Sequence, residues 1–152
     1  ALITAIEGFL GWNNMRDAFV VGVGSLGSAL MGYEGFREYG LNILAGFDID
    51  PSKVGIRVHD KEVFPLEKLP DLVGRMHVLI GILAVPAKAA EDVANLMARS
   101  GIRAIWNYAP ISLEVPESVV VENMNLSASF AVLSSKLEEV LGRHRRQPVR
   151  RR

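Results

Sequence analysis

Apolar residues fall into short continuous runs separated by stretches of helical period. Runs rich in Val, Ile and Leu close at Val23 and recur over residues 42–48, 77–85 and 103–106, with a further run over 119–121. Uninterrupted apolar runs of this length are what parallel strands buried on both faces require. Between them, residues 26–39, 66–73 and 88–100 repeat apolar side chains every three or four positions, which predicts helices. Gly101 stands where the last of these should end, as a C-cap. The alternation predicts an α/β fold, a doubly wound parallel sheet with right-handed crossovers, in which residues 49–65 are a short irregular connection.

Two amphipathic segments lie outside that alternation. Residues 2–10 ("LITAIEGFL") place Ile3, Ile6 and Leu10 on one side of an N-terminal helix. Residues 126–141 place Phe130, Leu133, Leu137 and Val140 on one side of a long C-terminal helix. That helix is longer than covering a sheet edge requires, and it is suited to a dimer. The expected division is a helix or domain remnant over residues 1–12, a nucleotide-binding domain with its C-terminal helix over 13–142, and a disordered basic tail over 143–152.

The tail changes the meaning of the charge. The chain of 152 residues has 17 basic and 17 acidic side chains, yet "RHRRQPVRRR" at its end holds six of the basic ones and no acid. The preceding part is acidic, so it is poorly suited to coat phosphates, while the tail is suited to nucleic acid or an acidic partner, or simply to solvent. There are no cysteines, which excludes disulfides and thiolate metal sites. The chain opens on Ala1 rather than Met, which predicts processing or trimming. Its first residues lack the basic start and apolar core of a signal peptide, and no apolar run approaches the roughly 18 residues needed to span a bilayer. A cytoplasmic protein is expected.

Candidate chemistry begins at "GVGSLG". Gly22, Gly24 and Gly27 match G-x-G-x-x-G, in which the glycines permit a tight turn, close approach of a pyrophosphate, and packing of helix on strand. Ser25 and Leu26 open the following helix, whose first N–H groups and positive dipole end suit phosphates. Asp48, followed by Ile49, ends the second strand, where a Rossmann fold holds the adenosine ribose. Its carboxylate accepts two ribose hydroxyls and repels a 2′-phosphate, so NAD(H) is expected over NADP(H). Asp50 is expected to start the "DPSK" turn. Lys53 is within reach of a phosphate or the adenine rim, but a solvated side chain is the favoured reading. "AVP" (Val85, Pro86) and "NYAP" (Asn107, Tyr108, Ala109) end later strands at the same crevice and offer a rigid apolar floor for a nicotinamide ring, with the Asn107 amide to orient it. Tyr33 stands near the same pocket.

A reaction would need a proton donor or acceptor at the substrate. His59 falls in a charged turn, His77 at the far end of a strand and His144 in the tail, so no catalytic residue is expected, and no metal site.

The segments "GVGSLGSALMGYEGF", "FDIDPSKVG", "AVPAKAAEDVANLMARSGI" and "WNYAPISLEVPESVVVENMNL" resemble, in order and spacing, the nicotinamide-binding half of the Rex family of redox-sensing transcriptional repressors, over roughly residues 19–137. The resemblance implies an NAD(H)-binding domain that responds to the NADH/NAD+ ratio, a homodimer through a swapped C-terminal helix, and release of DNA when NADH replaces NAD+. It implies that Gly22, Gly24 and Gly27 hold the pyrophosphate, Asp48 the adenosine ribose and Tyr33 the nicotinamide side, with Phe130 a core or dimer residue of the swapped helix. Two departures stand out. Only residues 1–12 precede the matched domain where the family carries a winged helix, so DNA binding needs that domain supplied elsewhere, or the basic tail. Asn125 stands where the family carries an Asp of a charged switch. These departures leave open a Rex-like domain of a hydrogenase or NADH dehydrogenase subunit. A CoA-binding domain like that of succinyl-CoA synthetase, which uses a similar fold, is a further alternative, against which the ribose-placed Asp48 speaks because CoA carries a 3′-phosphate on that ribose.

Overall fold

The computed structural model describes residues 15–124 and 126–146. The expected helix at 2–10, the Asn125 departure and the tail beyond residue 146 lie outside the described residues. Seven strands form one sheet in the order β3-β4-β2-β1-β5-β6-β7. They are β1 (Arg16–Val21), β2 (Leu41–Asp48), β3 (Arg57–Val58), β4 (Lys61–Pro65), β5 (Ile80–Leu83), β6 (Ala104–Asn107) and β7 (Val120–Asn123). All pair in parallel except β3, which runs antiparallel along β4. The order reverses at β1, which lies between β2 and β5, and that reversal opens a crevice beyond the carboxyl ends of the strands.

Side-chain alternation explains why the central strands read as continuous apolar runs. Along β1, Phe19 and Val21 pack on one face with Phe47, Leu83 and Ile105, while Ala18 and Val20 pack on the other with Ile43 and Ile82. The first face is covered by α3 (Leu69–Met76) and α4 (Ala87–Ser100), through Val73, Ala90, Ala94 and Met97. The second is covered by α1 (Ser25–Met31) and α2 (Gly35–Glu38), through Leu30, Met31 and Phe36. Phe19 and Phe47 meet edge-on, ring centroids 4.9 Å apart, a contact adding about 1 kcal/mol beyond its burial.

Several expectations shift. The single helix expected over 26–39 is two, because the chain leaves helical hydrogen bonding at Gly32 and resumes at Gly35. The irregular stretch 49–65 contains the β3–β4 hairpin, whose turn residues His59 and Asp60 both have positive φ, 49° and 66°. That is the backbone of a two-residue hairpin turn usually built from Asn-Gly, here without its usual sequence signal. The helix expected at 66–73 opens as a 3-10 turn, Leu66–Lys68, and continues as α3, which tolerates Pro70 in its first turn. The strand expected from His77 begins only at Ile80, since His77 closes α3 in the left-handed conformation. Gly101 closes α4 as expected, with φ 111°. The last helix, α5 (Leu126–Arg146), continues past Gly142, where the tail was expected to start.

Candidate functional site

Two of the three loop glycines answer to the protein's own atoms. Gly22 has φ +98°, and a Cβ there would lie 2.5 Å from the Ala84 carbonyl oxygen and 2.7 Å from Val85 Cγ1. A Cβ on Gly27 would collide with the Gly22 carbonyl, so the helix can approach the loop only without one. Gly24 differs: no described protein atom lies within 4 Å of where its Cβ would be, and its backbone is extended. No packing contact of the fold thus requires a glycine at this position, which borders the crevice.

Asp48 is tied to this loop. Its Oδ2 accepts the Val23 N–H at 2.7 Å and its Oδ1 the Asp50 N–H at 2.9 Å. Each oxygen keeps lone pairs for another donor, which is the acceptor pattern a vicinal diol needs. Lys53 donates from Nζ to the Val23 carbonyl at 3.0 Å, so the Val23 peptide is held at both ends. That hydrogen bond, with the side chain partly buried, corrects the reading of Lys53 as a solvated side chain. Asp50 starts the expected turn, accepting the Ser52 N–H at 2.9 Å and its hydroxyl at 2.8 Å. Those backbone and hydroxyl hydrogen bonds hold its carboxyl below the usual value.

A cavity of about 170 Å³ opens over the loop. Gly22, Gly24, Asp48, Ile49, Val85 and Pro86 line it, and Leu66, Ala89 and Val93 give it an apolar wall that the sequence did not single out. Asp48 is the one charged residue of a lining that is otherwise apolar side chains and glycine. Ser25 and Leu26 are exposed at the start of α1.

Tyr33 and Tyr108 lie elsewhere. They line a groove of about 550 Å³ on the α1–α2 side of the sheet, with Leu30, Phe36, Trp106 and Met124. Tyr33 stands edge-on to Phe36, centroids 4.8 Å apart, and Phe36 packs on Trp106 at 5.5 Å. Burial raises the Tyr108 phenol above its ordinary value. The Trp106 indole N–H is buried without a hydrogen-bond partner among the described residues. Trp106 escaped the sequence reading because it interrupts a strand of small apolar residues; its position two residues before Tyr108, on the same face, was the available signal.

Asn107 does not face the crevice with a free amide, which corrects the role foreseen for it. It is 1% exposed, with Nδ2 donating to the Ile111 carbonyl at 2.8 Å and to Asn123 Oδ1 at 2.9 Å, while Oδ1 accepts the Ala109 N–H at 3.0 Å. The amide is consumed in shaping the turn. Ala109 is buried beneath that turn. His59 lies in the β3–β4 turn, and His77 lines a small cavity with Arg16 and Asp17 at the opposite end of the sheet. Among the described residues no group of three or more His, Cys, Asp or Glu side chains is arranged for a metal ion, and no helix is long and apolar enough to cross a membrane.

Comparison with known proteins agrees with this geometry. A family described as "CoA binding domain" matches residues 13–111. A redox-sensing transcriptional repressor Rex from Treponema denticola is 48% identical over 132 residues, covering 87% of this chain and 63% of the relative; the chain thus spans less than two thirds of that relative's length. The crystal structure of RSP in complex with β-NADH superposes with a TM-score of 0.80 at 37% identity, covering 94% of this chain and 70% of that one. RSP in complex with β-NAD+ and operator DNA gives 0.82 at 35%, covering 97% and 69%; RSP is a Rex-family repressor. The glycine loop, the acid that ends β2 and these likenesses together place the chain in the CoA-binding domain family and, within it, in the Rex family.

Proposed function

We propose that this chain is the NAD(H)-binding, redox-sensing region of a Rex-type transcriptional repressor, acting in the cytoplasm without catalysing a reaction. The observation that carries the reading is the Asp48 carboxylate, fixed by the Val23 and Asp50 N–H groups beside a glycine that no protein atom requires. Adenosine lies in the cavity over Asp48, the pyrophosphate passes Gly22 to Gly27, and the nicotinamide end extends from there toward the separate groove that Tyr33 and Tyr108 line. An uncharged, apolar environment penalises the cationic oxidised ring through desolvation and favours the neutral reduced one.

The ligand acts by differential affinity for two arrangements of a homodimer. Support for the dimer comes from α5, where Phe130, Leu133 and Leu137 are 70%, 64% and 55% exposed, and from the uncovered aromatic groove; a second copy offers each a partner. Operator DNA is bound by a winged-helix domain in the part of the repressor that this chain does not span. The name of the matched family raises CoA as a second ligand, but CoA carries a 3′-phosphate on the ribose that Asp48 faces, and like charges repel.

Thermal stabilisation by NADH, NAD+, NADPH and CoA tests the assignment. NADH is expected to raise the melting temperature most, NAD+ less, and NADPH and CoA least. A larger shift with CoA than with NADH overturns it.

A further inference from the structure

Asn107 is the one polar side chain that is buried among the described residues, and it joins three segments. Its orientation is forced: the Ala109 N–H can only meet Oδ1, and the Ile111 carbonyl can only meet Nδ2. The second Nδ2 hydrogen therefore points across the sheet to Asn123 Oδ1 at 2.9 Å. Asn123 is its register partner in the parallel β6–β7 ladder, and the Asn107 carbonyl accepts the Met124 N–H at 2.8 Å. One residue thus fixes the 108–111 turn beyond the carboxyl end of β6 and, on its other side, the last residues of β7, from which the chain enters α5 at Leu126.

We infer that the Asn107–Asn123 amide pair is the positioning element through which occupancy of the nucleotide crevice is transmitted to α5. This rests on the nucleotide reading above. A packing contact would yield gradually to a displaced turn, whereas a buried amide whose three bonds are all directional cannot follow the turn and keep β7 in place. Movement of the turn therefore moves Asn123 and Met124, or breaks the pair. The pair needs an acceptor at position 123 rather than an amide as such, and Asn123 is itself exposed, so its replacement leaves no cavity in the core and costs mainly the lost partner of the Asn107 amide.

The experiment is amide hydrogen exchange on the whole chain, with and without NADH. In the unchanged chain NADH is expected to slow exchange in the Gly22–Gly24 loop and the 108–111 turn, and to change exchange at Met124 and in α5 by about fivefold or more, within the usual range of coupling between sites. Asn123→Ala should keep the response of the loop and turn while that of α5 falls within about twofold of none; Asn123→Asp, which retains the acceptor, should restore it. If Asn123→Ala does not fold, Asn123→Val removes the acceptor with a residue suited to a strand. An α5 response of full size without the acceptor overturns the inference, as does an unchanged chain whose loop responds while α5 does not. No response of the Gly22–Gly24 loop in the unchanged chain overturns the nucleotide reading itself.

Discussion

Asp48 Oδ2 accepts the Val23 N–H at 2.7 Å across 25 residues of sequence, so the acid that ends β2 and the glycine loop that follows β1 form one unit. The carboxylate is oriented by the backbone without any ligand, so a ribose diol bound there would meet acceptors already in place. Asp48→Asn keeps the shape and loses the charge. It should weaken NADH binding by about 1.5–3 kcal/mol, roughly 10- to 150-fold, and narrow the preference for NADH over NADPH; calorimetry with both nucleotides reads both effects. Unchanged discrimination would show that Asp48 does not face the ribose.

The glycines separate binding from folding. Gly24→Ala places a methyl group where no described protein atom stands, so stability should hold or rise by up to about 1 kcal/mol while NADH affinity falls at least tenfold. Gly27→Ala drives a Cβ into the Gly22 carbonyl and should cost about 2–3 kcal/mol of stability. Urea unfolding alongside nucleotide titration distinguishes the two. Equal stability loss in both variants would mean that the middle glycine serves the fold.

Lys53→Met removes the hydrogen bond to the Val23 carbonyl and leaves the apolar stem. The expected loss is about 0.5–1.5 kcal/mol of stability, with a several-fold weaker NADH complex because the loop is less fixed. A stability equal to that of the unchanged chain would return Lys53 to the solvent.

Tyr108 carries a pH dependence. Burial raises its phenol above 10.0, so its folded value exceeds the unfolded one. The neutral phenol's contribution to stability is whole below the unfolded value and is lost as pH rises through the folded value. Ultraviolet difference titration should show a late phenol transition that Tyr108→Phe removes, and the variant's stability should fall less steeply in that alkaline range. An identical titration in the variant would contradict the burial of this group.

Much of the scaffold was legible in the residues because buried parallel strands leave uninterrupted apolar runs, and "GVGSLG" followed by Asp48 marks one end of the site. The β3–β4 hairpin was not, since His59 and Asp60 adopt positive φ without the glycine that usually announces such a turn. The role of Asn107 was misjudged for a related reason: its position at a strand end is visible in the sequence, but its three bonds to Ala109, Ile111 and Asn123 exist only once β6 and β7 are paired. Trp106 and the groove it lines depend likewise on which face of β6 each residue takes.

The most direct measurement is a calorimetric titration of the whole chain with NADH and, separately, NAD+, with light scattering on the same samples. Binding of NADH to a dimer, at least tenfold tighter than NAD+, is the predicted result. Equal affinity for the two, or no binding of either, would contradict the redox-sensing account.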